Sequence, residues 1–165
     1  MTQIEIDEYW MQQAIELALK AQDLGEIPVG AVLVKDNHLV ASGWNRSIID
    51  HNPTAHAEIM ALQQAGQELS NYRLLDTTLY VTLEPCIMCA GAMIHSRISR
   101  VVYGAKDFKT GACGSYLDIM GQAGLNHYVD VTGGVLEQQC SSMLSAFFKL
   151  RRAQKKEQKR QHGKF

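Results

Sequence analysis

Two short stretches of this sequence carry side chains suited to chemistry: His56-Ala57-Glu58 and, further along, Pro85-Cys86-Ile87-Met88-Cys89. Three residues apart on a helix, Cys86 and Cys89 share a face, so both sulfurs reach one ion, and a helix N-terminus favours their thiolates. One imidazole with two thiolates suits zinc. Residues two apart on a helix diverge by about 200°, so His56 and Glu58 do not both ligate one ion in a regular helix. Glu58 is left free for protons. Three protein ligands leave a fourth tetrahedral position for water, which zinc acidifies toward neutral pH. A carboxylate that takes the water's proton and passes it to a substrate nitrogen does the acid/base work of hydrolytic deamination. Two plainer readings compete: a closed structural zinc site completed by Cys113, Cys140, His51, His95 or His127, and buried thiols with no metal. Neither gives the glutamate or the proline a role.

The elements that must position these residues read as follows. Asp7 caps a first helix whose apolar positions Trp10, Met11, Ala14, Ile15, Leu17, Ala18 and Ala21 recur at helical spacing up to Gly25. Val29 to Val34 and Leu39 to Gly43 form an antiparallel hairpin, and Asn45 follows it in a loop. Pro53 and Thr54 open a helix toward Leu69, which puts His56 near its N-terminus. Thr78 to Leu83 is a buried strand, and Pro85 starts a small-residue helix reaching His95. Arg100 to Gly104 is a strand, Asp107 to Gly114 a loop, Tyr128 to Val131 a last strand and Gly134 to Arg160 a last helix. Strands alternating with helices imply a layered α/β domain, a central sheet covered by helices.

At 165 residues, 46% hydrophobic and 20% charged, the chain is one packed domain's worth, neither disordered nor fibrous. Its apolar runs fall short of the roughly 18 residues that span a bilayer, and its acidic N-terminus lacks the pattern of a signal peptide. A cytoplasmic protein is expected, in which four cysteines are metal ligands or packed thiols and not a disulfide framework. The net charge of -1 hides an asymmetry. Between Lys149 and Phe165 stand eight Lys or Arg and Glu157 alone, a net +7, so residues 1–148, with eight basic and sixteen acidic residues, carry -8. The division expected is a catalytic domain over 1–150 and a basic helical extension of that domain over 151–165.

The motifs resemble those of the zinc-dependent cytidine and nucleobase deaminase superfamily, most closely its branch that acts on tRNA. The resemblance runs through Pro28-Val29-Gly30-Ala31-Val32, Gly43-Trp44-Asn45-Arg46 and Pro53-Thr54-Ala55-His56-Ala57-Glu58-Ile59-Met60-Ala61. It continues in Thr82-Leu83-Glu84-Pro85-Cys86-Ile87-Met88-Cys89-Ala90-Gly91-Ala92-Met93, Asp107, Lys109-Thr110-Gly111-Ala112 and Phe147-Phe148. It implies a cytidine-deaminase-like three-layer sandwich, with a mixed sheet of about five strands between helices. It also implies one Zn2+ per subunit on His56, Cys86 and Cys89, with Glu58 as proton shuttle. The reaction implied is deamination of adenosine to inosine at the wobble position of the tRNA anticodon. The partners implied are an anticodon stem-loop, that of arginine tRNA with an ACG anticodon, and a second copy of the chain in a homodimer.

For substrate contacts the resemblance points to Asn45, to Val29 and the backbone of Ala57 and Pro85 as pocket wall, and to Asp107 beside the target nucleotide. From spacing alone Asn45 is a loop former and Asp107 a turn cap. Asp107 could instead accept a hydrogen bond from a 2'-hydroxyl, and Phe108 could stack on a base or cover the core. Phe147 and Phe148 are candidates for stacking, although neighbours on a helix diverge by about 100° and cannot both do one job. Arg151, Arg152 and Lys155 are candidates for the RNA backbone, against the plain reading of a solvated helix end. Two other functions stay open: a deaminase of free guanine or cytosine compounds, for which the basic tail is superfluous, and a catalytically silent zinc module that binds RNA, in which Glu58 has no use.

Overall fold

A computed structural model of the chain describes residues 1–163; Lys164 and Phe165, the end of the expected basic extension, lie outside the described residues. The elements run α1 (Gln3–Asp23), β1 (Gly30–Lys35), β2 (His38–Trp44), α2 (Ala57–Leu69), β3 (Thr78–Leu83), α3 (Ile87–Ser96), β4 (Arg100–Ala105), β5 (Asp130–Thr132) and α4 (Glu137–His162). Five strands form one sheet in the order β2-β1-β3-β4-β5. β1 is antiparallel to both β2 and β3, whereas β3, β4 and β5 are parallel. The sheet is mixed because a tight hairpin joins β1 to β2 and a helix crosses from β3 to β4. Asp36 and Asn37, both at positive φ, make the primed turn that matches strand twist.

Helices cover both faces. A Cβ on Gly30 would come within 2.6 Å of Ala18 N in α1, and one on Gly43 within 2.7 Å of Ala61 N in α2. These glycines let a helix backbone press on each side of neighbouring strands. α4 shares the α1 face, with Cys140 packed on Gly104 of β4, and α3 lies beside α2. The core is the buried aliphatic set between these layers, Val32, Leu33, Leu79, Val81, Val101 and Val102 among it. No described helix is long and apolar enough to cross a membrane.

Several expected boundaries move for identifiable reasons. α1 begins earlier because Thr2 and Glu5 form a reciprocal capping box. Asp7 is therefore not a cap. It lies on the buried stripe of the helix, 3% exposed, where it pairs with Arg100 at 2.6 Å and accepts the Tyr80 hydroxyl at 2.8 Å. Pro53 and Thr54 belong to the turn before α2, with the Thr54 hydroxyl bonded to Asn52. His56 is itself the cap. The last strand sits two residues later than Tyr128, at Asp130.

Candidate metal centre and active site

α2 and α3 begin side by side, and their caps supply the ligands. His56 and Cys86 are the N-cap residues, both with extended backbone and neither spending its side chain on a capping bond. Cys89 is the third residue of α3. Cap and third residue are the two positions whose side chains converge in a capping box, so Cys-x-x-Cys at this place aims both sulfurs at one point. Each sulfur lies 3.6 Å from Nδ1 of His56. A tetrahedral zinc with bonds of about 2.0 Å to nitrogen and 2.3 Å to sulfur separates such ligands by about 3.5 Å. The donor set therefore fits zinc in both chemistry and spacing. Among the described residues, these three form the metal-holding group, their ligand atoms all within 4.8 Å of one another.

None of the five residues weighed as a fourth ligand joins that group. Cys140 packs on β4, and His127 bonds the Ile98 carbonyl at 2.6 Å. Burial raises the thiols of Cys113 and Cys140 to about 12, so both stay neutral. Cys86 behaves differently: a hydrogen bond from Cys89, with His56 adding to it, draws its thiol down to about 4. The same bond, with burial, pushes Cys89 up. His56 is raised chiefly by its bond to Cys86. Within the donor set Cys86 is thus the group held as a thiolate.

Glu58, 4% exposed, faces the same cavity. Because His56 is extended and not helical, the helical angle between the two residues does not apply, and both side chains turn inward. Glu58 stays outside the ligand group yet touches the Cys89 thiol. Burial raises its carboxyl to about 6, the range in which a carboxyl both accepts and returns a proton near neutrality.

The cavity is about 650 Å³. Its floor includes Val29, Asn45, His56, Ala57, Glu58 and Cys86, and its rim Lys106, Asp107, Phe108, Phe148 and Arg152. Asn45 is 7% exposed and held by a bond from its own N–H to the Val29 carbonyl, while Arg46 N–H bonds the Ala55 carbonyl next to α2. Asp107 caps its own turn: its carboxylate accepts from Lys109 N–H, Thr110 N–H and the Thr110 hydroxyl. Phe108 stands 73% exposed at the rim and does not cover the core.

Three expected contacts fall elsewhere. Pro85 is buried behind Cys86 with its carbonyl taken by Ala112 N–H at 2.8 Å, and Leu83 and Cys86 form the wall there. Phe147 is buried at 7% exposure, edge-on to Phe148, so only Phe148 reaches the cavity. Arg151 turns back onto the domain, donating to the Gly25 carbonyl at 2.6 Å over the Phe147 ring. Arg152 lines the rim, and from it onward α4 runs exposed to His162 with Lys155 on it. Unforeseen was Glu84, a buried carboxylate on the cavity side of the Cys86 turn. Its signal in the sequence is an acidic residue closing a buried strand.

The model of the cytidine and deoxycytidylate deaminase zinc-binding region matches residues 4–105. The chain is 56% identical over 156 residues to the tRNA-specific adenosine deaminase of Haemophilus influenzae, covering 94% of this chain and 90% of that protein. It is 45% identical over 150 residues to that of Bacillus subtilis, covering 91% and 93%. A solved structure from work on A-to-I editing by tRNA:A34 deaminases at the wobble position of transfer RNA superposes with a TM-score of 0.80 at 40% identity, covering 82% of this chain and 99% of that one. A guanine deaminase from Nitrosomonas europaea follows at 0.75 and 27%, covering 85% and 83%. With a family model over most of its length and near-full-length relatives well above 30% identity, the chain belongs to the cytidine and deoxycytidylate deaminase family, among its tRNA-specific adenosine deaminases.

Proposed function

We propose that this protein hydrolyses adenosine to inosine at the wobble position of a tRNA anticodon. The observation that carries the reading is the buried Glu58 beside a three-ligand metal group on the floor of a cavity whose rim is basic and aromatic. The relatives' named activity on tRNA agrees with it.

His56, Cys86 and Cys89 would hold a zinc ion, which when bound would supply the Lewis acidity that makes water a nucleophile near neutral pH. Glu58 does the proton work. It takes one proton from the attacking water and places it on N1 of the purine, then takes the second from the new C6 hydroxyl and passes it to the 6-amino nitrogen, so that ammonia leaves and the C6 carbonyl forms. Asn45 offers an amide donor and acceptor to the flipped base or its ribose. Val29 and Ala57 close the pocket wall around the ring. Asp107 Oδ2 accepts only one hydrogen bond within its turn, which leaves a lone pair for a 2'-hydroxyl. Phe148 presents an aromatic face at the cavity mouth, where unstacked bases bind.

Residues 1–150 form the catalytic unit in this reading, and 151–165 are its basic extension, a cationic arm for the anticodon stem, with Arg152 at the rim and Lys155 beyond it. The substrate is arginine tRNA with an ACG anticodon, the working form is a homodimer and its place is the cytoplasm. An outward face of α3 that leaves Ile87 57% exposed supports the dimer. The test is inosine formation in a stem-loop RNA with adenosine at the wobble position, run beside free adenosine, guanine and cytosine. Conversion of the RNA alone is expected. Turnover of guanine or cytosine with the RNA untouched would install the free-base reading instead.

A further inference from the structure

We infer that Glu84 is a positioning residue that fixes the cavity rim to the metal-binding turn and so sets the grip on nucleotides flanking the target base; this rests on the RNA-directed reading above. Glu84 lies between β3 and Pro85-Cys86 and is 2% exposed. Its Oε1 accepts the Asp107 N–H at 3.2 Å and the Ser115 hydroxyl. Its Oε2 accepts the N–H groups of Cys113 at 3.0 Å and Ser115 at 3.1 Å. All four donors come from one loop, residues 107–115.

Two further contacts tighten the same junction. The Pro85 carbonyl accepts Ala112 N–H, and Cys86 bridges Gly111. A Cβ on Gly111 would collide with the Glu84 carboxyl group, so the loop closes round the carboxylate without spare room. The segment so clamped begins with the rim residues Asp107, Phe108 and Lys109. One buried side chain thereby ties the rim to the residue before the Cys86 turn, and a rim held in place spends less ordering entropy when RNA arrives.

A carboxylate is required, because each oxygen faces two donors; a glutamine of the same shape must turn an NH2 group against one of those pairs. Glu84→Gln is therefore expected to keep one zinc per chain while KM for the stem-loop RNA rises by about tenfold or more and kcat changes by less than about threefold. Amide hydrogen exchange at Asp107, Cys113 and Ser115 should accelerate. Ser115→Ala, which deletes only the hydroxyl bond, should move the same readings less far, and it carries the test if Glu84→Gln does not fold. Unchanged exchange at those amides, or zinc loss with kcat falling at constant KM, would overturn the inference. Exchange is read without substrate, so failure of the clamp is distinguishable from failure of the RNA reading, which shows as a wild-type protein inactive on RNA.

Discussion

His56 Nδ1 stands 3.6 Å from Cys86 Sγ, joining the N-terminus of α2 to that of α3 across thirty residues of sequence. A zinc ion on these atoms is a crosslink between two helices as well as a reagent. Removing it with a chelator is expected to abolish activity and lower the melting temperature, by a linkage contribution of about 3–4 kcal/mol when zinc is present at a hundred to a thousand times its dissociation constant. Calorimetry with and without chelator, followed by zinc addition, reads both effects. A melting temperature indifferent to zinc would show that these residues hold none.

Glu58 lies outside the ligand group, so its loss should separate chemistry from metal binding. Glu58→Ala and Glu58→Gln are expected to keep one zinc per chain and a melting temperature near that of the parent, while kcat falls by at least about 10²–10⁴. Metal analysis beside single-turnover kinetics decides it. Zinc lost along with activity would make Glu58 a ligand and leave the proton transfers without an agent.

The chemistry was legible because it resides in residue types: an imidazole, two thiols and a carboxylate at short spacings identify a metal and a proton carrier wherever the helices begin. Orientation was less legible. Phe147 and Phe148 differ only in which way the helix turns them, yet Cys140, Leu144 and Phe147 recur at four and three residues and mark the buried stripe of α4. That stripe also carries Arg151 inward, at the next helical step. Asp7 sits likewise in line with Trp10, Met11 and Ala14, so the pattern announces its burial, but its partner Arg100 is 93 residues away. Glu84 belongs to the same class. Its four donors come from residues 107–115, and no local pattern names partners met only through the fold.

The pair of Asp7 and Arg100 ties α1 to β4, with Thr132 of β5 also bonded to the guanidinium. Burial alone would raise the Asp7 carboxyl, but the hydrogen bonds from Arg100, Tyr80 and Gln3 outweigh it and hold it below its ordinary 3.8. A carboxyl depressed in the folded state stabilises the fold above its unfolded value, and that contribution is lost as pH falls through the folded one. The loss should therefore appear below about pH 4. Asp7→Asn leaves Arg100 unpaired and is expected to cost about 3 kcal/mol at neutral pH, while flattening the acid limb of stability. Urea unfolding at pH 7 and at pH 3 measures both. An unchanged acid limb would relieve Asp7 of this role.

Beyond Arg151 the last helix touches nothing that folding needs: from Arg152 to His162 its residues are exposed, and the one ion pair among them, Arg160 with Glu157, is long and solvated at 4.0 Å. Charge there that stabilises no fold is available to a polyanion. Each phosphate contact adds about 0.7–0.9 to the slope of log affinity against log salt. Replacing Lys155, Lys156 and Lys159 by glutamine keeps helix propensity while removing three charges, and is expected to flatten that slope by about 2. The melting temperature should stay within about a degree, because exposed positions of this kind contribute little to stability. Activity on RNA should then fall at physiological salt and recover at low salt, where the remaining cations suffice. A salt titration of tRNA binding that superposes on the parent's would remove the helix end from the interface and confine recognition to the rim formed by Lys106, Phe108, Phe148 and Arg152.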